Sequence, residues 1–312
     1  MTFVDTLESR SLMSVSLDPA SHVLTITGKD DFAAGDNIVV TVENSKLKVV
    51  DNGVAKLFDP AAVAKIKVLA RSGPDLVNIS TLVTKPTEID TGAGGPLGTR
   101  DTVYGGSGKD VVNIRSAFAS VSTRNGDDTV TDFEGFALIN TGANNDTVFL
   151  KSGGESTVDG GDGTDTVDAS SYTTGMLLRN GKSGQYIAGT AGSTGIPTIN
   201  GAGTTFSLAG FENFTGTQGN DYIHGTDGRN VLKGLAGNDW INAFGGDDEV
   251  YGGAGNDRLY GGTGKNALFG GDGDDTLYAL NGGAADFLSG GNGTDRGYWE
   301  VSDTVTGVEV KL

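Results

Sequence analysis

From Gly216 to Tyr278 an apolar residue returns every ninth position: Ile223, Leu232, Ile241, Val250, Leu259, Leu268 and Leu277. A glycine-rich hexapeptide precedes each one with its flanking residue. The segment therefore divides into seven nonapeptides in unbroken register: GTQGNDYIH, GTDGRNVLK, GLAGNDWIN, AFGGDDEVY, GGAGNDRLY, GGTGKNALF and GGDGDDTLY. One inward residue between two outward ones predicts a three-residue strand, and the six before it predict a turn. A short period held this long is the mark of a solenoid. After an insertion at Ala279-Leu280, NGGAADFLS and GGNGTDRGY carry the pattern to Tyr298, with Leu288 at position eight.

Upstream the pattern is looser. VLTIT (23–27), NIVVTVE (37–43) and KLKVVD (46–51) alternate with period two and predict strands, the last two joined as a hairpin through Asn44-Ser45. AAVAKIKVLA (61–70) reads as one helical turn followed by a strand. Worn copies of the motif begin at SGPDLVNIS (72–80). They become regular as GGSGKDVVN, TRNGDDTVT, TGANNDTVF and GGDGTDTVD, with Asp110, Asp128, Asp146 and Asp165 spaced by 18, 18 and 19 residues. Strands without the motif fall midway, at Ser120–Ser122, Leu138–Asn140 and Thr157–Asp159. Each coil is thus expected to hold 18 residues and two strands, with one of its two turns bearing the aspartate. Residues 169–215 break the register and read as an insertion, with strand-like pieces at Met176–Leu178 and Thr205–Leu208.

Composition narrows the chemistry. The chain has 312 residues, 52 of them glycine, and a formal charge of −18. No basic stripe exists to displace counterions from nucleic acid, and no apolar run is long enough for membrane insertion by a helix. Disorder is the bland reading of an acidic, glycine-rich chain, but the periodic apolar positions argue against it. With no cysteine, disulfides and thiolate metal sites are excluded, and with two distant histidines, His22 and His224, zinc is not expected. His224 occupies an outward position nine and is expected to be solvent-exposed. No signal peptide with a basic start and an apolar centre is visible.

The nonapeptide is a set of hard oxygen ligands. Glycines at positions one, two and four allow dihedrals that side chains forbid and let carbonyl oxygens converge. The aspartate at position six adds a carboxylate. Flexible, oxygen-only coordination suits Ca²⁺ better than Mg²⁺, which demands a strict octahedron. Stacked aspartates repel one another without a cation, and one apolar side chain per nonapeptide makes a thin core, so folding is expected to require the ion. The structural alternative is ordinary Gly-Asp turn chemistry, which fits a single motif far better than seven in register.

These repeats resemble those of the RTX (hemolysin-type) calcium-binding family, strongly over 216–298 and weakly over 105–168. GFENFTGTQGNDYIHG (210–225) is similar to that family's entry into a repeat block. The resemblance implies an all-β fold, a right-handed parallel β-helix or β-roll with two nonapeptides per 18-residue coil. It also implies calcium held between successive coils by position-six carboxylates and turn carbonyls. The opening LESRSLMS resembles a short segment of bacterial surface and secreted proteins. The expected organisation is an N-terminal cap and irregular β coils (1–90), a degenerate roll (91–171), a linking insertion (172–215), the regular roll (216–298) and C-terminal capping strands (299–312).

If alternate repeats share an edge, one edge carries Asp221, Asp239, Asp257, Asp275 and Asp295, with Gly219, Gly237, Gly255, Gly273 and Gly293 at position four. That edge is the expected calcium column, with up to four ions between its five turns. The other edge carries Asn230, Asp248, Asn266 and Asp286 and should bind weakly, because asparagine offers a neutral oxygen. Asp110, Asp128, Asp146 and Asp165 are the upstream candidates, an earlier version of the same asymmetry. Positions seven and nine on the aspartate edge (Tyr222/His224, Trp240/Asn242, Arg258/Tyr260, Thr276/Tyr278, Arg296/Tyr298) should line up into an aromatic and arginine stripe. Such a stripe is either a solvated cross-strand ladder or a contact surface for a glycan or protein.

Nothing in the sequence assembles a nucleophile. GGSGKD and GGTGKN fail as phosphate loops, because the first required glycine falls on Val103 or Leu259 and no Ser or Thr follows the lysine. The expectation is a secreted or cell-surface bacterial calcium-binding solenoid, structural or adhesive and not an enzyme. The alternatives are a lyase- or epimerase-type carbohydrate-active β-helix with a calcium-binding tail, or a glycan-binding module. An enzyme should show Asp, Lys and Arg clustered on one outer face of 60–215.

Overall fold

The computed structural model describes residues 14–29, 35–95, 99–151, 156–173, 177–178, 207–279 and 284–312. Among these residues the chain is all-β apart from one 3-10 turn, Pro60–Ala62, capped by the Asp59 side chain. The strands form a parallel solenoid. A 14-stranded sheet runs from Ser14–Leu17 to Thr304–Thr306. Facing it are a nine-stranded sheet, which ends on Ser207–Ala209, and a seven-stranded sheet, from Leu177–Leu178 to Val310–Lys311. The opposite wall is therefore divided where the sequence breaks register. Of the strand-like pieces expected there, Met176, Thr205 and Phe206 lie outside the described residues, as does LESRSLM at the start.

The expected strands Val23–Thr27, Asn37–Glu43 and Lys46–Asp51 form with those limits, and Glu43↔Lys46 closes the antiparallel hairpin. Parallel coiling begins within this region, because Val23–Thr27 pairs with Lys65–Leu69 and Asn37–Glu43 pairs with Leu76–Ile79. Downstream, the register confirms 18-residue coils: Val112↔Val130↔Val148 on the long sheet and Ile223↔Ile241↔Leu259↔Leu277 on the seven-stranded one.

The core differs along the axis. In the N-terminal coils several strands send two large apolar side chains inward, as in Leu24/Ile26, Ile66/Val68, Val77/Ile79 and Val112/Ile114. From Ile223 onward each nonapeptide sends one, and Gly234, Gly252 and Gly270 occupy the next inward-facing strand position. Each methylene removed from water is worth about 0.8 kcal/mol. The downstream coils are thus held by much less apolar burial per residue than the upstream ones.

Candidate calcium-binding turns

Every coil makes two turns, one from the long sheet to the facing sheet and one back. The outbound edge of the seven-stranded segment carries Asp221, Asp239, Asp257, Asp275 and Asp295, all at most 2% exposed. They form a ladder of one pattern. The backbone N–H of Asp221 donates to Asp239 Oδ1 (2.7 Å), that of Asp239 to Asp257 (2.7 Å), that of Asp257 to Asp275 (2.8 Å) and that of Asp275 to Asp295 (2.8 Å). Glu309 ends the series by accepting from Asp295 N–H at 2.8 Å.

The second carboxylate oxygen decides what these turns can hold. Oδ2 of Asp239, Asp257, Asp275 and Asp295 is buried and accepts no hydrogen bond. Leaving a buried charged acceptor unsatisfied costs at least about 1–3 kcal/mol, so four in a column call for a cation. Carbonyl oxygens complete the cradle. A Cβ placed on Gly234 would touch Asp239 Oδ2 and lie 2.6 Å from the Gly252 carbonyl; on Gly252 it would touch Asp257 Oδ2 and lie 2.7 Å from the Gly270 carbonyl. Among the described residues no three His, Asp or Glu side chains gather into one metal-holding group. Each turn on this edge offers one position-six carboxylate plus carbonyls, a donor set that fits calcium.

The glycines divide their work. Positions two and four take positive φ: 120° at Gly253, 118° at Gly271, 119° at Gly237, 128° at Gly255 and Gly273, and 142° at Gly293. Gly219 does not share it. Position one instead needs an absent Cβ, because the carboxylate and the next coil's carbonyl press against it.

Burial raises the carboxyls. Asp239 is pushed up to about 8, by desolvation first and then by the charges of Asp221 and Asp257. Desolvation likewise takes Asp275 to about 7 and Asp257 to about 6, and raises Asp295.

The return edge carries Asn230, Asp248, Asn266 and Asp286 in the same ladder, closed by Asp303. Asp248 keeps an unsatisfied Oδ2 and is raised to about 7 by burial; Asp286 is raised to about 6. At the asparagines the amide takes the carbonyls a cation would use. Asn230 Nδ2 donates to the Glu212 carbonyl at 2.7 Å, and Asn266 Nδ2 to the Gly262 and Gly264 carbonyls at 3.4 Å.

Asp110, Asp128, Asp146 and Asp165 also stand on this return edge, each at most 1% exposed and linked N–H to Oδ1 at 2.7–2.8 Å. Glu212 carries their ladder on from Asp165 at 2.9 Å. The upstream bearing turns therefore lie on the edge opposite the aspartate-only column, so the asymmetry changes sides along the axis. Asp128, Asp146 and Asp165 have unsatisfied Oδ2 atoms, whereas Asp110 Oδ2 accepts from Gly106 N–H. Burial raises Asp128 to about 7 and Asp110, Asp146 and Asp165 to about 6.

Two features depart from the sequence reading. His224 is not exposed: it is 8% accessible, with Nε2 3.0 Å from Tyr222 Oη and its ring against Trp240 and edge-on to Phe244. Phe244, at positive φ in position two of the next turn on the return edge, packs on the imidazole. Position five also carries structure that the repeat pattern alone does not announce. Asn238 N–H donates to Asn220 Oδ1, Asn256 to Asn238, Asp274 to Asn256 and Thr294 to Asp274, at 2.7–2.9 Å. This outer ladder runs opposite in direction to the inner one, and the recurrent Asn-Asp pair was its signal.

The fold and the turns define a parallel β-solenoid with oxygen-lined cation cradles at its aspartate-bearing turns. The model of the RTX calcium-binding nonapeptide repeat matches at 98–113 and in overlapping windows that run from 208 to 296. The chain carries RTX calcium-binding nonapeptide repeats, and its solenoid fits a calcium-binding β-roll. No curated protein matches the chain.

Proposed function

We propose that this protein is an extracellular, non-catalytic calcium-loaded scaffold whose seven-stranded face contacts a glycan. The observation that carries the calcium part is the column of buried, unsatisfied carboxylate oxygens from Asp239 to Asp295. Turns of this kind hold calcium weakly, on the order of 10⁻⁴–10⁻³ M, which suits the calcium level outside cells. Coupling of ion binding to folding then confines the folded state to that setting.

The glycan part rests on the outer face of the same coils. Tyr222 stacks on Trp240 at 4.2 Å, Tyr260 on Tyr278 at 4.2 Å and Tyr278 on Tyr298 at 4.9 Å. Beside them runs a groove of about 580 Å³ lined by Trp240, Arg258, Arg296 and the amides of Asn220, Asn238 and Asn256, with the carboxylates of Asp239, Asp257 and Asp274 also on its wall. Both arginines are exposed and form no ion pair among the described residues. Flat rings with neighbouring amide, guanidinium and carboxylate groups suit the faces and hydroxyls of sugar rings. Replacing Trp240 and Tyr260 with alanine should abolish retention on a cognate glycan column while calcium-dependent folding survives. Undiminished retention would remove this face as the site.

One observation bears on the catalytic alternative. Lys65, Lys67, Glu88, Asp90 and Arg115 do gather on one outer face. They are engaged with each other: both lysines reach Glu88 (2.6 and 2.7 Å) and Arg115 reaches Asp90 (3.0 Å). The lysine bonds hold Glu88 below its usual range, the opposite of what a general base near neutrality needs. Appearance of unsaturated sugar products from an acidic polysaccharide would favour the lyase reading instead.

A further inference from the structure

We infer that the N-terminal half holds a calcium site of its own, between Asp75 and Asp101, in turns that no regular nonapeptide marks. The inference rests on the calcium reading of the downstream repeats. Asp36, Asp75 and Asp101 close the outbound turns that lead into Asn37–Glu43, Leu76–Ile79 and Asp101–Tyr104. This is the edge that Asp221–Asp295 occupy further along. The ladder is the same. Asp36 N–H donates to Asp75 Oδ1 at 2.6 Å and Asp75 N–H to Asp101 Oδ1 at 2.9 Å.

Asp75 is 2% exposed and Asp101 1%, and Oδ2 of each accepts no hydrogen bond. No cation of the described chain pairs with either carboxylate. The turn before Asp75 also repeats the backbone of the regular cradle. Arg71 at position two has φ 75° and Gly73 at position four has φ 123°, close to Leu235 (86°) at position two and Gly255 (128°) at position four of the regular turns. One coil earlier, a Cβ on Gly28 would touch Asp36 Oδ2 and lie 2.5 Å from the Ala70 carbonyl, the pairing seen at Gly234 with Asp239 and Gly252. At Asp75 the position-one residue is Ala70, so the site rests on the two carboxylates themselves: buried oxygens one coil apart and without a hydrogen-bond donor select a hard divalent cation. Tighter packing upstream explains how this region can present the site on a preformed frame.

Two measurements on the full chain test this. In crystals grown with calcium, an anomalous difference peak should lie between the Asp75 and Asp101 carboxylates. By native mass spectrometry, D75N/D101N should hold fewer calcium ions than the unaltered chain, while calcium still induces the downstream fold reported by Trp240 fluorescence. Peaks at Asp239 and Asp257 with none at Asp75 and Asp101 would overturn the inference and leave the downstream reading intact. So would an unchanged ion count in D75N/D101N alongside a reduced count in D239N/D257N, which would mean that protons neutralise the upstream pair. Absence of peaks at both places would overturn both readings.

Discussion

Withdrawing calcium near pH 8 should unfold the repeats from 216 to 298, and acid should restore them without the ion. In the cation-free coil Asp239, Asp257 and Asp275 are raised from 3.8 to about 8, about 6 and about 7, burial being the first cause at each. The folded chain therefore binds protons more tightly than the unfolded one. That contribution is fully present below about pH 4 and is lost as pH rises through about 6 to 8. At about 1.4 kcal/mol per pH unit per group, ionising these three at pH 8 costs on the order of 10 kcal/mol. A whole domain is typically stable by only about 5–15 kcal/mol, and here one apolar side chain per nonapeptide opposes the loss. With calcium the sign reverses: the ion needs ionised carboxylates, so binding expels protons and weakens in acid. Far-ultraviolet circular dichroism of the chelated chain should gain β signal between about pH 8 and pH 5, and calcium at pH 8 should produce the same gain. Equal signal across that range after chelation would refute the argument. Recovery at pH 8 by salt alone would assign the effect to screened surface repulsion of the −18 chain instead.

Three further outcomes follow from the cradle and the core. Gly252→Ala places a methyl against Asp257 Oδ2 and 2.7 Å from the Gly270 carbonyl, so calorimetry should show weaker calcium binding at that level, with the other coils retained. Asn266→Asp removes the amide that occupies the Gly262 and Gly264 carbonyls and should add bound calcium on the return edge; an unchanged stoichiometry by native mass spectrometry would contradict the plugging role. Leu259→Ala, at a fully buried position, should cost about 2–5 kcal/mol in denaturant melts of the calcium-loaded chain, with loss of the downstream transition first.

Much of this molecule is written in its spacing. Two-residue alternation located the strands at 23–27, 37–43 and 46–51, and the nine-residue period located both turn edges downstream, because there one repeat equals one turn and one strand. Legibility fails where loop length varies. Asp36 and Asp75 are 39 residues apart and Asp75 and Asp101 are 26 apart, so the upstream outbound column has no period, although its hydrogen bonds are those of the regular one. His224 was misplaced for a different reason. Position nine faces outward, but its burial depends on Phe244 from the opposite edge, a contact no single repeat encodes. The change of bearing edge along the axis was hidden too, since the insertion at 169–215 removes the phase that would have linked the two halves.

The inner ladder has a polarity. Each aspartate amide is satisfied by the carboxylate one coil ahead, so a coil is complete only when its successor is in place, and Asp303 and Glu309, just before the paired strands Thr304–Thr306 and Val310–Lys311, supply the acceptors for Asp286 and Asp295. Such a structure behaves as a string of repeated links. Whole coils of 18 residues can be added or deleted inside 216–298 without altering either end, each carrying its own cradle and its neighbour's acceptor. The array is then a ruler: its reach grows by about 4.8 Å per coil, and its capacity for calcium grows in the same steps.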